Sequence, residues 1–64
     1  MRINNDEIFL RMSRKKMSRQ ALAEASGISY EALTAALNRG RMTTEKLGRI
    51  AEALECDVEE IVLR

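Results

Sequence analysis

The sequence predicts an all-α fold of five short helices. The chain contains no proline, its apolar residues recur at intervals of three and four, and a capping residue such as Ser, Thr, Asn or Asp precedes each apolar run. Valine and isoleucine are few and scattered, so a β-sheet is not expected. A chain of 64 residues has room for one hydrophobic core. We therefore expect a single domain over residues 1–64.

The first helix is predicted over residues 5–16. Asn5 is the expected N-cap, since its side chain can accept a hydrogen bond from a free backbone N–H of the first turn. Ile8 and Met12 are four residues apart with Phe9 beside them, and this spacing predicts an apolar stripe that faces the core. Basic residues close the segment and suit the negative end of the helix dipole.

The second and third helices are predicted on either side of a glycine corner. Ser18 is the expected N-cap of a helix with the sequence RQALAEAS, which stops at Gly27 because glycine adopts a left-handed backbone without steric cost. Ile28 is expected to fill the corner, and Ser29 is expected to cap a third helix, YEALTAALN. Gly40 is expected to end this helix or to lie in the loop after it.

The fourth helix, expected to begin at Thr43 or Thr44, has the strongest amphipathic pattern in the chain. Its apolar residues fall at positions i, i+3, i+4 and i+7, namely Leu47, Ile50, Ala51 and Leu54. Gly48 within this helix is expected to mark a close packing contact, since glycine costs a helix about 1 kcal/mol relative to alanine. Asp57 and Glu60 have the spacing of a capping box, which predicts a short last helix after them.

The positions of four residues around the glycine corner predict how the second and third helices pack. These residues are Ala23, Gly27, Ile28 and Leu33, and they are separated by intervals of four, one and five. A small residue lets the next helix cross closely, the glycine makes the turn, and the two aliphatic side chains fix a steep angle between the helices. These are the steric requirements of a DNA-reading helix-turn-helix, although other helical hairpins with a glycine corner share much of the pattern. The sequence predicts the motif over residues 19–38.

Charge is distributed unevenly along the chain. Residues 11–49 contain nine Lys and Arg against three Glu, a net charge of +6, whereas residues 50–63 contain five acidic residues and no basic one. This asymmetry indicates a basic working surface and an acidic C-terminal end that faces something else. The alternative is a solvated charge gradient without a function.

The composition excludes several kinds of site. There is no histidine, and Cys56 is the only cysteine, so an intrachain disulfide and a Cys/His zinc site are impossible. We expect no catalytic residue, no metal, no cofactor and no enzyme activity. A lone thiol without a signal-like N-terminus indicates a reducing cytoplasm. No apolar run approaches the roughly 20 residues that span a bilayer, so no membrane partner is expected.

The chain resembles the Cro/CI-type helix-turn-helix domain of phage and bacterial repressors over the segment MSRQALAEASGISYEALTAALNRGRMTTEKLGRIAEALECDVEEIV. The matching positions are Lys15-Lys16-Met17, Gly27-Ile28-Ser29, Thr44-Glu45-Lys46-Leu47, Ala53-Leu54 and Cys56-Asp57. The resemblance covers nearly the whole chain and implies a compact five-helix, lambda-repressor-like fold that binds duplex DNA. It also implies homodimeric binding and a role in transcription control, for which we expect repression.

By this resemblance, the helix from about Tyr30 to Asn38 enters the major groove. Its exposed side is expected to carry Tyr30, Glu31, Thr34 and Asn38. Glu31 could accept a hydrogen bond from a cytosine amino group, and Thr34 could touch a base or a phosphate. The expected phosphate contacts are Ser18, Arg19, Ser29, Arg39 and Arg41. The alternative for each residue is ordinary helix capping or helix surface.

Two positions depart from the family pattern. Arg19 stands where many members have a glutamine that holds the backbone and a base. Ala35 occupies a position that is often polar and base-reading, and its side chain can neither donate nor accept a hydrogen bond. Base readout is therefore expected to be sparse and to rest partly on methyl contact with thymine.

A homodimer on a palindromic site is expected, because one short helix reads too few base pairs to single out a genomic site. The expected interface lies on the last helix, which is too short to bury all of its apolar residues: Val58, Ile61, Val62 and Leu63. The competing interpretation is an antitoxin or anti-repressor whose acidic C-terminal end binds another protein through the same fold. RNA binding is the third interpretation, and the chain lacks the aromatic platforms that would stack unpaired bases.

Overall fold

A computed structural model describes residues 1–63 and contains four α-helices followed by one 3-10 turn. The helices are α1 (Asn5–Arg14), α2 (Arg19–Ser26), α3 (Tyr30–Arg39) and α4 (Thr44–Ala53), and the 3-10 turn covers Val58–Glu60. The predicted all-α fold is confirmed. The predicted fifth helix is only this single turn, in which the Glu60 carboxylate accepts a hydrogen bond from the Asp57 N–H at 2.9 Å. None of the helices within residues 1–63 has the length and hydrophobicity that crossing a membrane requires.

Two of the helices begin at the caps that the sequence predicts, and α4 begins where expected, with Thr43 as its cap. The hydroxyls of Ser18, Ser29 and Thr43 each accept a hydrogen bond from the backbone N–H three residues later, at 3.0, 3.2 and 3.2 Å. Each of these bonds satisfies one N–H that the first helical turn leaves unpaired. The starts of α2, α3 and α4 are therefore determined locally.

The helix begins at Asn5 as predicted, but the predicted N-cap and the predicted end of α1 are both wrong. The N-cap is Asn4, whose Oδ1 accepts a hydrogen bond from the Glu7 N–H at 3.2 Å. Asn5 is the first helical residue, and its side-chain amide donates to the Leu37 carbonyl oxygen at 2.9 Å, near the C-terminal end of α3. The helix ends at Arg14 because the backbone turns left-handed at Lys16, where φ is +55°.

One core unites the buried faces of all four helices. Ile8 and Met12 of α1 are buried as predicted, but Phe9 points outward and is 39% exposed, so the expected inward position of Phe9 is wrong. A residue next to a buried one on a helix is rotated by about 100°, which takes Phe9 to the edge of the stripe. The expectation for Gly48 is also wrong, because a Cβ at this position would have no neighbour within 4 Å.

The first residues of the chain join the α3–α4 loop to the C-terminal segment. Ile3 forms an isolated antiparallel bridge with Val62, and Arg2 forms another with Arg41. The Asn4 N–H donates to the Ile61 carbonyl oxygen at 2.9 Å. No sequence pattern indicates this pairing, since each bridge links positions that are far apart in the chain.

The pairing corrects the expected dimer interface. Ile61 belongs to the core and has no exposed surface, so it is not available to a partner. Val58 and Val62 are half-buried against the same core, and of the predicted interface residues only Leu63 is exposed, at 44%. The last turn is too short to bury its apolar residues alone, but the N-terminal segment covers them.

Candidate nucleic-acid interface

The corner between α2 and α3 has the predicted construction. Gly27 has φ +74°, a left-handed conformation that residues with a Cβ rarely adopt. The Ile28 N–H donates to the Ala23 carbonyl oxygen at 3.1 Å, which closes the end of α2. Ala23, Ile28 and Leu33 are all buried, so α3 is held against α2 through its inner side. The outer side of α3 is left open.

The open side of α3 carries a row of three exposed residues. Glu31, Ala35 and Asn38 are spaced by four and three positions, so they lie one above another on the helix surface. Tyr30 and Arg39, at the two ends of the helix, are exposed as well. The row is the part of α3 that could meet the edges of bases. The predicted exposure of Tyr30, Glu31 and Asn38 is confirmed.

Thr34 does not lie on this open row. It is half-buried, and its Oγ1 is buried without a hydrogen-bond partner within residues 1–63. The expectation that the Thr34 hydroxyl faces outward is therefore wrong. Ala35 takes the central exposed position instead, so the middle of the row offers a methyl group rather than a hydrogen bond.

The N-terminal ends of α2 and α3 meet at a shallow depression. Ser18, Arg19, Gln20 and Tyr30 line it together. Ser18 and Ser29 are exposed and cap the two helices, so a hydroxyl and free backbone N–H groups stand at each helix start. Sequence reasoning missed Gln20. The family pattern could have indicated it, because the glutamine that many members have at position 19 stands one residue later in this chain.

A second cationic group gathers at the C-terminal end of α3. Arg39 and Arg41 line one depression with Lys46 and another with Arg2. Sequence reasoning missed both Arg2 and Lys46. Arg2 reaches this end of α3 through the backbone bridge to Arg41, which no local pattern indicates. The two ends of the open row are therefore both basic and lie about 15 Å apart, the length of a ten-residue helix.

A family model described as the Cro/C1-type HTH DNA-binding domain matches residues 10–63. The chain belongs to this family. The comparisons with curated proteins and with solved structures gave no match. Family membership makes duplex DNA the ligand of this Cro/C1-type domain and supports a general role as a DNA-binding transcription regulator. The matched range contains the whole of α2, the corner and α3, whereas Arg2 lies before it.

The acidic end of this Cro/C1-type domain is partly neutralised by α1. Arg11 bonds to Glu7 and to Glu60, each at 3.1 Å, and Lys15 bonds to Glu55 at 2.7 Å. The backbone N–H of Asp57 and the Arg11 guanidinium lower the pKa of Glu60, and the hydrogen bond and charge of Lys15 lower the pKa of Glu55. Arg11 and Lys15 therefore stabilise the fold through ion pairs, on a surface separate from the open row of α3.

The cations around α3 stay open. Between positions 1 and 63, no ion pair involves Arg2, Arg19, Arg39, Arg41 or Lys46. Arg49 lies beside the Gly27 corner, near the motif, but it is not an unpaired cation. Its Nη2 lies 3.8 Å from Glu45 Oε2. The charge asymmetry seen in the sequence thus becomes a spatial division. Arg11 and Lys15, beside the acidic end, are paired with acids, whereas the cations around α3 are available to an anion.

Proposed function

We propose that the protein is a sequence-specific transcriptional repressor that inserts α3 into the major groove of duplex DNA. The observation that supports this most is the open row of α3, with unpaired cations at both of its ends. A helix entering the major groove needs phosphate contacts on the two sides of the groove to fix its register. The spacing of the two basic groups along α3 suits such a clamp.

We assign base recognition to the open row. Glu31 accepts a hydrogen bond from the amino group of cytosine, and Asn38 can bond to adenine at two positions. Ala35 provides apolar contact for the methyl group of thymine. Tyr30 packs on a sugar or donates to a phosphate. The row supplies only two hydrogen-bonding side chains, so each half-site has few strongly specified positions.

We assign phosphate binding to the residues at the ends of the row. At the start of α3 these are Ser18, Arg19, Gln20 and Ser29, which combine hydroxyls, an amide and a guanidinium with the helix N-termini. At the end of α3 they are Arg39, Arg41, Arg2 and Lys46. Such contacts position the protein on the duplex without reading its sequence.

We propose that the protein acts as a homodimer on a palindromic operator. Each copy reads only a few base pairs, and a two-fold pair doubles the contacts. Two recognition helices then lie about 34 Å apart, one turn of DNA. Repression is the simplest outcome of such binding, because a bound dimer blocks the duplex that it occupies.

The proposal is tested by selecting bound duplexes from a random pool. We expect enrichment of a palindrome whose half-sites are centred about one helical turn apart. The matched control is Glu52→Ala, an exposed change at the acidic end, which should enrich the same palindrome. Selection that ends with the base composition of the starting pool would overturn sequence-specific binding. A selected site placed upstream of a reporter gene then tests repression, which predicts lower expression in the presence of the protein.

The alternative function, a protein-interaction module of the antitoxin or anti-repressor kind, relies on the acidic end as the binding surface. Two of its five acidic residues, Glu55 and Glu60, are engaged by α1. A basic partner would have to displace these ion pairs, whereas a phosphate meets unpaired cations around α3. The electrostatics therefore favour DNA.

A further inference from the structure

The outer face of α1 is apolar at its centre. Phe9 is 39% exposed and Leu10 is 52% exposed, and they are neighbours on one helix. Asp6, Leu10 and Arg14 are four residues apart in turn, so they form one row along the helix, which we call the outer row. Phe9 lies beside Leu10 and widens the apolar centre. The outer row begins with an acid and ends with a base.

The charges of the outer row are unused by the fold. In the adjacent row, Glu7 and Arg11 of α1 and the C-cap residue Lys15 all form ion pairs. In the part of the chain that the structure describes, neither Asp6 nor Arg14 forms one. Both are exposed, and they are two helical turns apart, too far to pair with each other within one molecule.

We infer that the outer row is the surface through which two copies of this chain associate. In a two-fold contact, if one residue meets a second on the partner, the second meets the first in return. Two antiparallel α1 helices centred on Leu10 bring Asp6 against Arg14 of the partner subunit, and Arg14 against Asp6 of the partner subunit. Leu10 then packs on Leu10 of the partner subunit, with Phe9 beside it. The row is complementary to itself in this arrangement alone, since a parallel pair would set like charges together.

This inference deepens the proposed function, because it gives the proposed homodimer its interface. It replaces the C-terminal residues expected from sequence, among which Ile61 is buried in the core. A helix of ten residues is about 15 Å long, so the contact is smaller than the roughly 800 Å² per partner of a standard interface. The dimer is therefore weak alone and is strengthened by binding two half-sites of one duplex.

A charge-reversal experiment tests the pairing without DNA. Asp6→Arg and Arg14→Asp each turn two attractive pairs into two repulsive ones, which should weaken self-association about ten- to thirty-fold in sedimentation equilibrium at low salt. An equimolar mixture of the two variants restores opposite charges at both contacts, so it should associate as tightly as the native chain. Any effect on the stability of α1 is the same in the mixture as in the separate solutions. Glu24→Arg, an exposed change on α2, should leave association unchanged.

Cross-linking provides a second test with variants that keep the charges. In a Cys56→Ala background, Leu10→Cys places two thiols at the two-fold axis, and mild oxidation should give a disulfide dimer quickly. Glu24→Cys in the same background is the matched control and should react slowly. Equal rates at the two positions, or a variant mixture that associates no better than its components, would overturn the inference. A chain that selects a DNA motif but fails both tests would refute only this interface, and the proposed DNA binding would stand.

Discussion

Arg2 faces Arg41 across an isolated antiparallel bridge, at the C-terminal end of α3. Together with Arg39 and the acidic Asp6 these residues line one shallow depression. Backbone pairing sets Arg2 and Arg41 side by side, and the three arginines outnumber the one acid, so the depression carries a net positive charge that attracts an anion. The N-terminal segment therefore adds a cation to the proposed phosphate clamp, although it lies outside the range that the family model matches.

The first prediction concerns this cluster. Arg2→Ala and Arg41→Ala should each weaken binding to all duplex sequences and reduce the salt slope by about one for each phosphate that is no longer neutralised. If the native dimer neutralises about 6–10 phosphates, its affinity should fall roughly 10³- to 10⁵-fold between 50 and 200 mM salt. Mobility shifts across a salt series measure both effects. Lys15→Ala is the control, since Lys15 is paired with Glu55, and its salt slope should match that of the native chain. An Arg2→Ala slope equal to the native slope would remove Arg2 from the clamp.

The second prediction separates base recognition from phosphate binding. Glu31→Ala should change the preferred base at one position of each half-site, because it removes the acceptor proposed for cytosine. Non-specific affinity should stay the same or rise, since the variant has one negative charge fewer near the DNA. Selection from a random pool, followed by sequencing, measures the preference. Glu45→Ala removes an exposed acid from α4 and should leave the preference as it is. An unaltered preference in Glu31→Ala would contradict the role of Glu31.

The third prediction follows from the buried hydroxyl of Thr34. A buried oxygen without a hydrogen bond destabilises the folded state, and valine has nearly the same shape without that oxygen. Thr34→Val should therefore raise the free energy of unfolding by about 1 kcal/mol, as measured by urea denaturation. It should also leave the selected DNA sequence unchanged. Thr44→Val, at an exposed position of α4, should change stability by less than about 0.5 kcal/mol. An altered base preference in Thr34→Val would show that the hydroxyl turns outward to read DNA.

Sequence patterns predict best where structure is determined by near neighbours. At each of three helix starts, one hydroxyl accepts a hydrogen bond from the backbone N–H three residues later. The corner between α2 and α3 depends on one left-handed residue, Gly27. The open row of α3 is also local, because helical spacing alone separates Glu31 and Asn38 from the buried Leu33. Most of the candidate site can therefore be predicted from the sequence.

The predictions that are wrong concern contacts between distant parts of the chain. Asn5 is predicted to be a cap, yet its amide serves α3 across 32 positions of sequence. Ile61 is predicted to lie at the surface, but the N-terminal segment covers it. Arg2 joins the clamp through the same segment. A local sequence pattern does not show that the N-terminal segment packs against the C-terminal one. This contact determines which C-terminal side chains are exposed.

The fourth prediction concerns the left-handed residue after α1. Lys16 has φ +55°, which costs a residue with a Cβ roughly 1 kcal/mol or more, and glycine avoids this cost. Lys16→Gly should therefore raise the free energy of unfolding by about 0.5–1 kcal/mol. Ser13→Gly is the matched control. Ser13 is exposed and lies within α1, so glycine there should lower stability by a similar amount. Thermal and urea unfolding measure both, and a destabilised Lys16→Gly variant would contradict the prediction.

The last prediction concerns stability in acid. The Glu60 carboxylate accepts hydrogen bonds from the Asp57 N–H and from Arg11, and both partners lower its pKa below the ordinary value of 4.5. A carboxyl group with a lower pKa in the folded state contributes stability above its unfolded pKa, and this contribution disappears as the pH falls through the folded value. The free energy of unfolding should therefore decrease as the pH falls below about 4.5. Glu60→Gln should make this decrease shallower, because glutamine does not titrate. Glu59→Gln, which changes an exposed neighbour, should give a curve parallel to the native one. Urea unfolding between about pH 3 and pH 7 decides the matter, and equal slopes for Glu60→Gln and the native chain would show that these two hydrogen bonds do not couple folding to protonation.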